Sequence, residues 1–395
     1  MTFFRDLQKV LRENVRQYGM FIALLVIQAI FTLTTHGLFI SSRNIVDLLN
    51  QTGYIAVLAV GMTLVIIIRH IDLSVGFLAG FLGAIAATMM VFWHWSVFAT
   101  IPAVMGLGIV AGLLTAILIN EMGIPAFVAT LAGWLIYRGC ILIVTEASGT
   151  IIIPDNIFNA IGNGFIPDIP GLEGFLPGVH KLTLLLGAVA TVVVVFNAIR
   201  SRRNKQSYNF EVLPTSIFVL QLLFIAVLVA AITWTIAGYR GLSWTAVVML
   251  VVVLVYNFIM GQTVLGRHVY AVGGNPEAAQ LSGINVKRIT YFVFASMGLL
   301  TALSGIMFAS RLKSATTTAG TLFETDAIAA AYVGGVSAAG GVGSVVGSLA
   351  GALVMTSLTS GMNLMGIGIA YQYAVRGAVL AAAVIFDVAT RRRVR

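Results

Sequence analysis

Two aspartates, Asp72 and Asp326, stand beside long apolar runs, a position costly enough for an ionised side chain to mark function by default. A carboxylate so placed can take up a proton, accept hydrogen bonds from a polar solute, or cap a helix end. Capping is the ordinary structural role, by Asp72 for a helix starting at Ser74 and by Asp326 for one starting at Ala327. Lining a pathway is the functional role, and the two coexist where a capped half-helix end faces water. Ser74 and Asn363 join the aspartates as pathway candidates, while Asn44, Gln51, Tyr371 and Gln372 offer further hydrogen bonds at the ends of runs. Arg138 and Arg376 lie inside apolar runs, where snorkelling or pairing with an acid lowers their cost.

Covalent chemistry has no constellation to support it. His36, His70, His94, His180 and His268 are scattered without metal-ligand spacing, and neither G-x-x-x-x-G-K-[ST] nor G-x-S-x-G occurs. The glycines at 334–335 and 340–343 imitate a phosphate loop but lack its lysine and sit between apolar runs, so they read as helix breaks or packing contacts. No cofactor or metal is expected.

The elements that position these residues follow from composition. Of the chain, 59% is hydrophobic and 9% charged, with a mean hydropathy of +1.00, against roughly 25% charged in a soluble domain. Uncharged runs near 20 residues suit helices crossing a core about 30 Å thick, and they lack the alternation of a β-barrel. The single cysteine, Cys140, excludes a disulfide framework. The net charge of +9 lies in loops between spans, where membrane topology rather than nucleic acid explains it. An all-α polytopic membrane protein is expected, forming one transmembrane domain over residues 1–395.

Spans are predicted near 19–37, 53–68, 75–93, 97–119, 124–145, 181–199, 214–237, 242–261, 288–310, 326–338, 344–362 and 370–388, twelve in all. With both termini in the cytoplasm, the basic loops at Arg69, at Arg200–Lys205, at Arg267–Arg288 and the tail from Arg391 share the inner face. Arg5, Lys9, Arg12 and Arg16 precede the first run, which lacks a cleavage site and reads as a retained signal anchor. The loop 146–180, with Pro154, Pro167, Pro170 and Pro177, falls outside, as a receiver of a soluble partner or a mere connector. A second external stretch, Arg311 to Thr325, is placed at the mouth of a pathway.

A repeat joins distant parts of the chain: VGFLAGFL at 75–82 and VGSLAGAL at 346–353 share six of eight positions. Each follows another apolar run, AVLAVG at 56–61 and AIAAAYVG at 327–334, so a helix pair recurs in parallel. Paired small-residue or broken segments in corresponding places mark transport pathways.

Between two apolar spans lies the polar run Gly266 to Arg288, GRHVYAVGGNPEAAQLSGINVKR. Asn275 is placed to cap a short helix, Pro276 fits its first position, Glu277 suits its positive end, and Gly283 closes it. Ala278, Ala279 and Leu281 are expected to face outward. A helix this short is marginal alone, so a protein partner is inferred to dock on it.

NPEAAQLSGI resembles the cytoplasmic coupling segment of the permeases of ABC importers for ribose, xylose, arabinose and multiple monosaccharides. AVGMTLVIIIRHIDLSVG at 59–76, PAFVATLAGWLIYRG at 125–139 and DAIAAAYVGGVSAAGGVGSVVGSLAGAL at 326–353 resemble the same family. An additional pair of spans at about 181–237 is similar to the xylose and multiple-monosaccharide branch. The resemblance implies an ABC-importer permease fold in the inner membrane and a pore made with a second permease copy. It also implies cytoplasmic ATPase subunits as partners and an extracytoplasmic sugar-binding protein as the source of substrate. Asn275, Pro276, Glu277, Ala278, Ala279 and Gly283 are the residues expected to couple to the ATPase. Arg69 and His70 depart from the family, placing the break near the cytoplasmic surface or pairing with Asp72. The competing expectation is an ion-coupled secondary sugar carrier that protonates Asp72 and Asp326.

In a chain stripped of Cys140, a cysteine at Gln206 is expected to be labelled by an impermeant thiol reagent only from the cytoplasmic side, and one at Asn163 only from outside. Labelling of both from one side overturns this topology.

Overall fold

The computed structural model describes residues 15–392 apart from 172, 173, 175, 211 and 213. Arg5, Lys9, Arg12 and the last three residues of the basic tail lie outside the described residues. The first five helices are α1 (Val15–Thr34), α2 (Ser42–Ile67), α3 (Val75–Val91), α4 (Val97–Asn120) and α5 (Ala126–Thr145). After β1 (Thr150–Ile152) come α6 (Asn156–Asn163), α7 (Lys181–Ser207), α8 (Thr215–Ala237), α9 (Trp244–Gln262), α10 (Val264–Gly274), α11 (Pro276–Leu281) and α12 (Val286–Leu312). β2 (Ser314–Thr316) then precedes α13 (Phe323–Val333), α14 (Val345–Leu364) and α15 (Ile369–Arg392). Among the described residues nine helices are long and apolar enough to cross a membrane, namely α2, α4, α5, α7, α8, α9, α12, α14 and α15. Met20–Thr34 within α1 and the whole of α3 are shorter apolar helices.

The contacts divide into two compact units, one around Phe165–Ser243 and the other built from Gly19–Phe39, Leu48–Gly164 and the chain from Trp244 onward. In the smaller unit α7 and α8 pair along their length. A side chain on Gly187 would overlap Thr233. Arg202 donates to Thr215 Oγ1 at 3.0 Å and lies 4.5 Å from the centre of the Phe218 ring. Asp168 holds the start of α7, its carboxylate accepting from the N–H groups of Lys181 (3.1 Å), Leu182 (2.9 Å) and Ile169 (2.9 Å). His180 caps the same helix: Nδ1 accepts from Thr183 N at 3.2 Å, so Nε2 carries the proton and donates to Ile166 O at 3.0 Å.

The larger unit is arranged around α12. Gly298 meets Gly108 backbone to backbone, Gly112 lies on the Phe294 carbonyl, and Gly305 lies on Ala79, so α4 and α3 approach as closely as the main chain permits. α2 is buried almost all round. Its two threonine hydroxyls find partners on α14, Thr52 with Thr356 at 2.6 Å and Thr63 with Ser348. At one end β1 pairs antiparallel with β2, Thr150 opposite Thr316 and Ile152 opposite Ser314. There Gly162 N donates to Ser310 Oγ at 2.7 Å, and Asn163 Nδ2 to Ser310 O at 2.7 Å. At the other end the chain after α4 meets the start of α12, with Asn120 Nδ2 on Lys287 O at 3.1 Å and Lys287 Nζ on Glu121 at 2.8 Å.

The span expected at 326–338 is instead a helix of 11 residues, Phe323–Val333. At 1.5 Å per residue it is about 16 Å long, half a bilayer core. Between β2 and this half-helix the chain runs as turns from Thr317 to Leu322. Asp326 does not cap a helix at Ala327, because the helix begins at Phe323 and Asp326 lies within its first turn.

Burial opposes ionisation of Asp168, but the N–H groups of Leu182, Lys181 and Ile169 and the neighbouring His180 outweigh it and hold the carboxyl well below its usual range. A depressed folded-state value stabilises above the unfolded pKa, about 3.9, and is lost as pH falls below it. Asp168→Asn is expected to lower the melting temperature of the detergent-solubilised protein at pH 7. The gap from wild type should narrow as pH is taken down through about 4. A gap that does not change with pH contradicts this role.

Candidate translocation and coupling site

The polar run Gly266 to Arg288 folds as two short helices and a turn. Thr263 caps α10 through Gly266 N at 3.2 Å. Asn275 caps α11 through Ala278 N at 3.1 Å, with Pro276 in the first helical position and Glu277 in the first turn. Gly283 takes φ +84, and Ile284 N returns to Ala279 O at 3.0 Å, closing the helix as its residues require. Ala278 and Leu281 face outward, Leu281 at 91% exposure, but Ala279 is buried at 4%, contrary to expectation. Residues two apart on a helix point nearly opposite ways, so Leu281 and Ala279 cannot share a face.

This segment is joined to both breaks in the apolar pattern. Arg69, at φ +67, turns its guanidinium onto the last carbonyls of α10: Nε donates to Gly273 O at 2.7 Å and Nη2 to Gly274 O. Gly341 N donates to Ile67 O at 2.9 Å, and Tyr270 Oη to Gly343 O at 2.9 Å. A Cβ at Gly273 would overlap Ile67 O, and one at Gly340 would overlap Arg69. The end of α2, the end of α10 and the 334–344 loop thus meet through main-chain atoms.

Beyond Arg69 the chain runs along α5. Thr130, the fifth residue of α5, donates to Ile71 O at 3.3 Å, and Ser74 lies against Gly133, the eighth. Asp72, 3% exposed, accepts from Ser74 N at 2.9 Å and Ser74 Oγ at 2.6 Å, and so braces the start of α3. Arg69 is committed to α10 rather than to Asp72, and the His70 ring lies 6.1 Å from that of Phe294. Ser344 caps α14 through Gly347 N at 2.9 Å.

Each repeated octet therefore opens a helix after a break. Both pack on the same stretch of chain: Gly351 lies on Ala330 of α13 and Gly347 on Gly334 just after it, whereas Gly76 and Gly80 lie on Gly320 and Ala319 just before it. Asp326 is ion-paired with Arg376, and Asn363 Oδ1 accepts from Gln372 Nε2 at 2.7 Å. Arg138 donates to Thr317 O at 2.6 Å and lies 5.0 Å from the centre of the Phe77 ring. The structure brings Asp72 and Ser74 together and leaves Asp326 and Asn363 with partners of their own.

One residue escapes the sequence reading. Glu324, counted within the external stretch Arg311 to Thr325, sits in the first turn of α13 at 7% exposure, with Trp134 Nε1 donating to its Oε1 at 3.3 Å. Its only sequence signal is an acid two positions before Asp326. Among the described residues no group of His, Cys, Asp and Glu is arranged to hold a metal ion.

Comparison with known proteins agrees with this architecture. Residues 44–384 match the family described as branched-chain amino acid transport system / permease component. The xylose transport system permease protein XylH of Haemophilus influenzae is 38% identical over 98% of this chain and 99% of its own, and XylH of Escherichia coli K12 is 37% identical over 96% and 93%. The ribose import permease protein RbsC of H. influenzae is 34% identical over 93% and 91%. No solved structure matches the chain at a significant level. The relatives are permeases rather than enzymes, and this chain belongs to the permease-component family of ABC importers, among its monosaccharide permeases.

Proposed function

We propose that this chain is the transmembrane subunit of an ATP-driven importer that carries a pentose or hexose from an external binding protein into the cytoplasm. The observation that carries the reading is the junction of Ile67, Arg69, Gly273 and Gly341, which ties the 266–288 segment to both breaks. In this reading ATPase subunits press on α11 through Asn275, Pro276, Glu277, Ala278 and the Gly283 turn, with Ala279 packing inward behind them. Displacement of α10 then reaches α2 through Gly273 and the 334–344 loop through Gly341. Two arrangements of that junction give the inward-open and outward-open states of alternating access. A second copy of the chain completes the pore, and both termini lie in the cytoplasm, as the basic loops favour. Asp72 and Ser74 form part of the pathway wall. The loop 146–180, partly pinned by β1 and α6, receives the binding protein.

The importer is expected to co-purify with its ATPase, and hydrolysis should rise when binding protein and xylose are added. No rise with any pentose or hexose contradicts the reading. Glu277→Lys, on the exposed face, and Gly273→Ala, at the junction, should each lower uptake about tenfold, within the usual 5- to 150-fold range of coupling effects, while basal hydrolysis persists. Unchanged uptake in both variants contradicts the docking and junction assignments.

A further inference from the structure

We propose that Glu324, Trp134 and Arg138 form a sugar-hydroxyl site within the pathway, so that the permease itself discriminates among monosaccharides. This rests on the importer reading above. Trp134 is the ninth of the twenty residues of α5, so its bond places the Glu324 carboxylate near the middle of a span, and Arg138, the thirteenth, stands one turn further along. Here the starts of α3 and α13 meet, Gly76 lying against both Gly320 and the Glu324 carboxylate. Glu324 is 93% buried by the 7% of its surface left exposed, and its Oε2 has no hydrogen-bond partner among the described residues. A buried acceptor left empty in this way is costly, and native structures keep few of them.

The surroundings select the ligand. Trp134 and Phe77 pack edge to face with centroids 4.8 Å apart, and the Arg138 guanidinium lies over Phe77 with only one of its five N–H donors on Thr317 O. A free carboxylate oxygen and free guanidinium donors beside aromatic rings match a polyhydroxyl solute, whose hydroxyls both donate and accept and whose C–H faces lie on rings. A metal cation is disfavoured because, among the described residues, no other His, Cys, Asp or Glu is grouped with this carboxylate to hold one. In the arrangement described here the site is closed by the Gly76–Gly320 contact, so sugar enters only when α3 and the chain before α13 separate.

The test uses the complete importer in vesicles with binding protein saturating, so that the rate reports the permease. The probes are xylose and analogues each lacking one hydroxyl. Wild type should move at least one deoxy analogue about tenfold more slowly than xylose, the loss expected for one hydrogen bond to a charged group. Glu324→Gln should slow xylose about as much and abolish that preference, while ATP hydrolysis stimulated by loaded binding protein remains. Trp134→Phe, which keeps a ring and loses the N–H, should weaken the preference, and it carries the test if Glu324→Gln fails to reach the membrane. An intact preference in the variants, or an equal loss for every sugar, overturns the site. So does a flattened pH profile of uptake with the preference unchanged, which would mark Glu324 as a proton carrier. Absence of ATP-dependent sugar uptake in wild type would instead sink the importer reading.

Discussion

Lipid offers no hydrogen bonds, so every main-chain group freed by a break in a membrane helix has to be satisfied by the protein or by water. The structure depends on how it meets that demand at two breaks, 68–74 and 334–344. The two breaks and α10 supply one another's partners: Ile67 O takes Gly341 N, Gly343 O takes Tyr270 Oη, and Arg69 satisfies the exposed carbonyls at the end of α10. Because these partners lie on three separate elements, none moves without disturbing the bonds of the other two. The accounting for broken backbone and the linkage from surface to interior are one set of contacts.

Small residues make this possible. Gly273, Gly340 and Gly341 let three main chains reach one another where any side chain would intrude, and Gly340 and Gly341 also use φ of +78 and +70. The same device recurs where Gly76 meets Gly320 and where Gly347 meets Gly334. Contacts of this kind are rigid when closed and have no side chain to bridge a gap when parted. That suits an element with two discrete arrangements better than one that deforms gradually.

Much of this was legible in the residues because it is local. Hydropathy places α7, α8, α9 and α12 within a few residues of their ends in sequence, except for the charged extension of α7 to Ser207, which continues the helix past the apolar run. Asn275, Pro276 and Gly283 mark α11 by short-range chemistry alone. What stayed hidden depends on partners far away in the chain. A hydropathy window cannot distinguish a half-helix from a full span, so by hydropathy α13 passes for a crossing. Whether Arg69 pairs with Asp72 or with Gly273 is settled only by where α10 arrives. Glu324 looked like the rim of an outer loop because nothing nearby in sequence announces Gly76 or Trp134.

The smaller unit has a consequence for biosynthesis. The bonds that define it, Asp168 with Lys181 and Leu182, Arg202 with Thr215, and Leu242 N with Thr183 Oγ1 at 3.0 Å, all close within Phe165–Ser243. Such a hairpin can form as soon as α8 leaves the ribosome, and chains synthesised from the N-terminus fold their units in that order. The larger unit has no such freedom. Its buried hydroxyl pairs join Thr52 to Thr356 and Thr63 to Ser348, so α2 waits in the membrane without its final neighbours until α14 has been made. During that interval the nascent chain holds a finished hairpin and an unfinished core, whose unpaired α2 hydroxyls and apolar faces are open to other partners in the membrane.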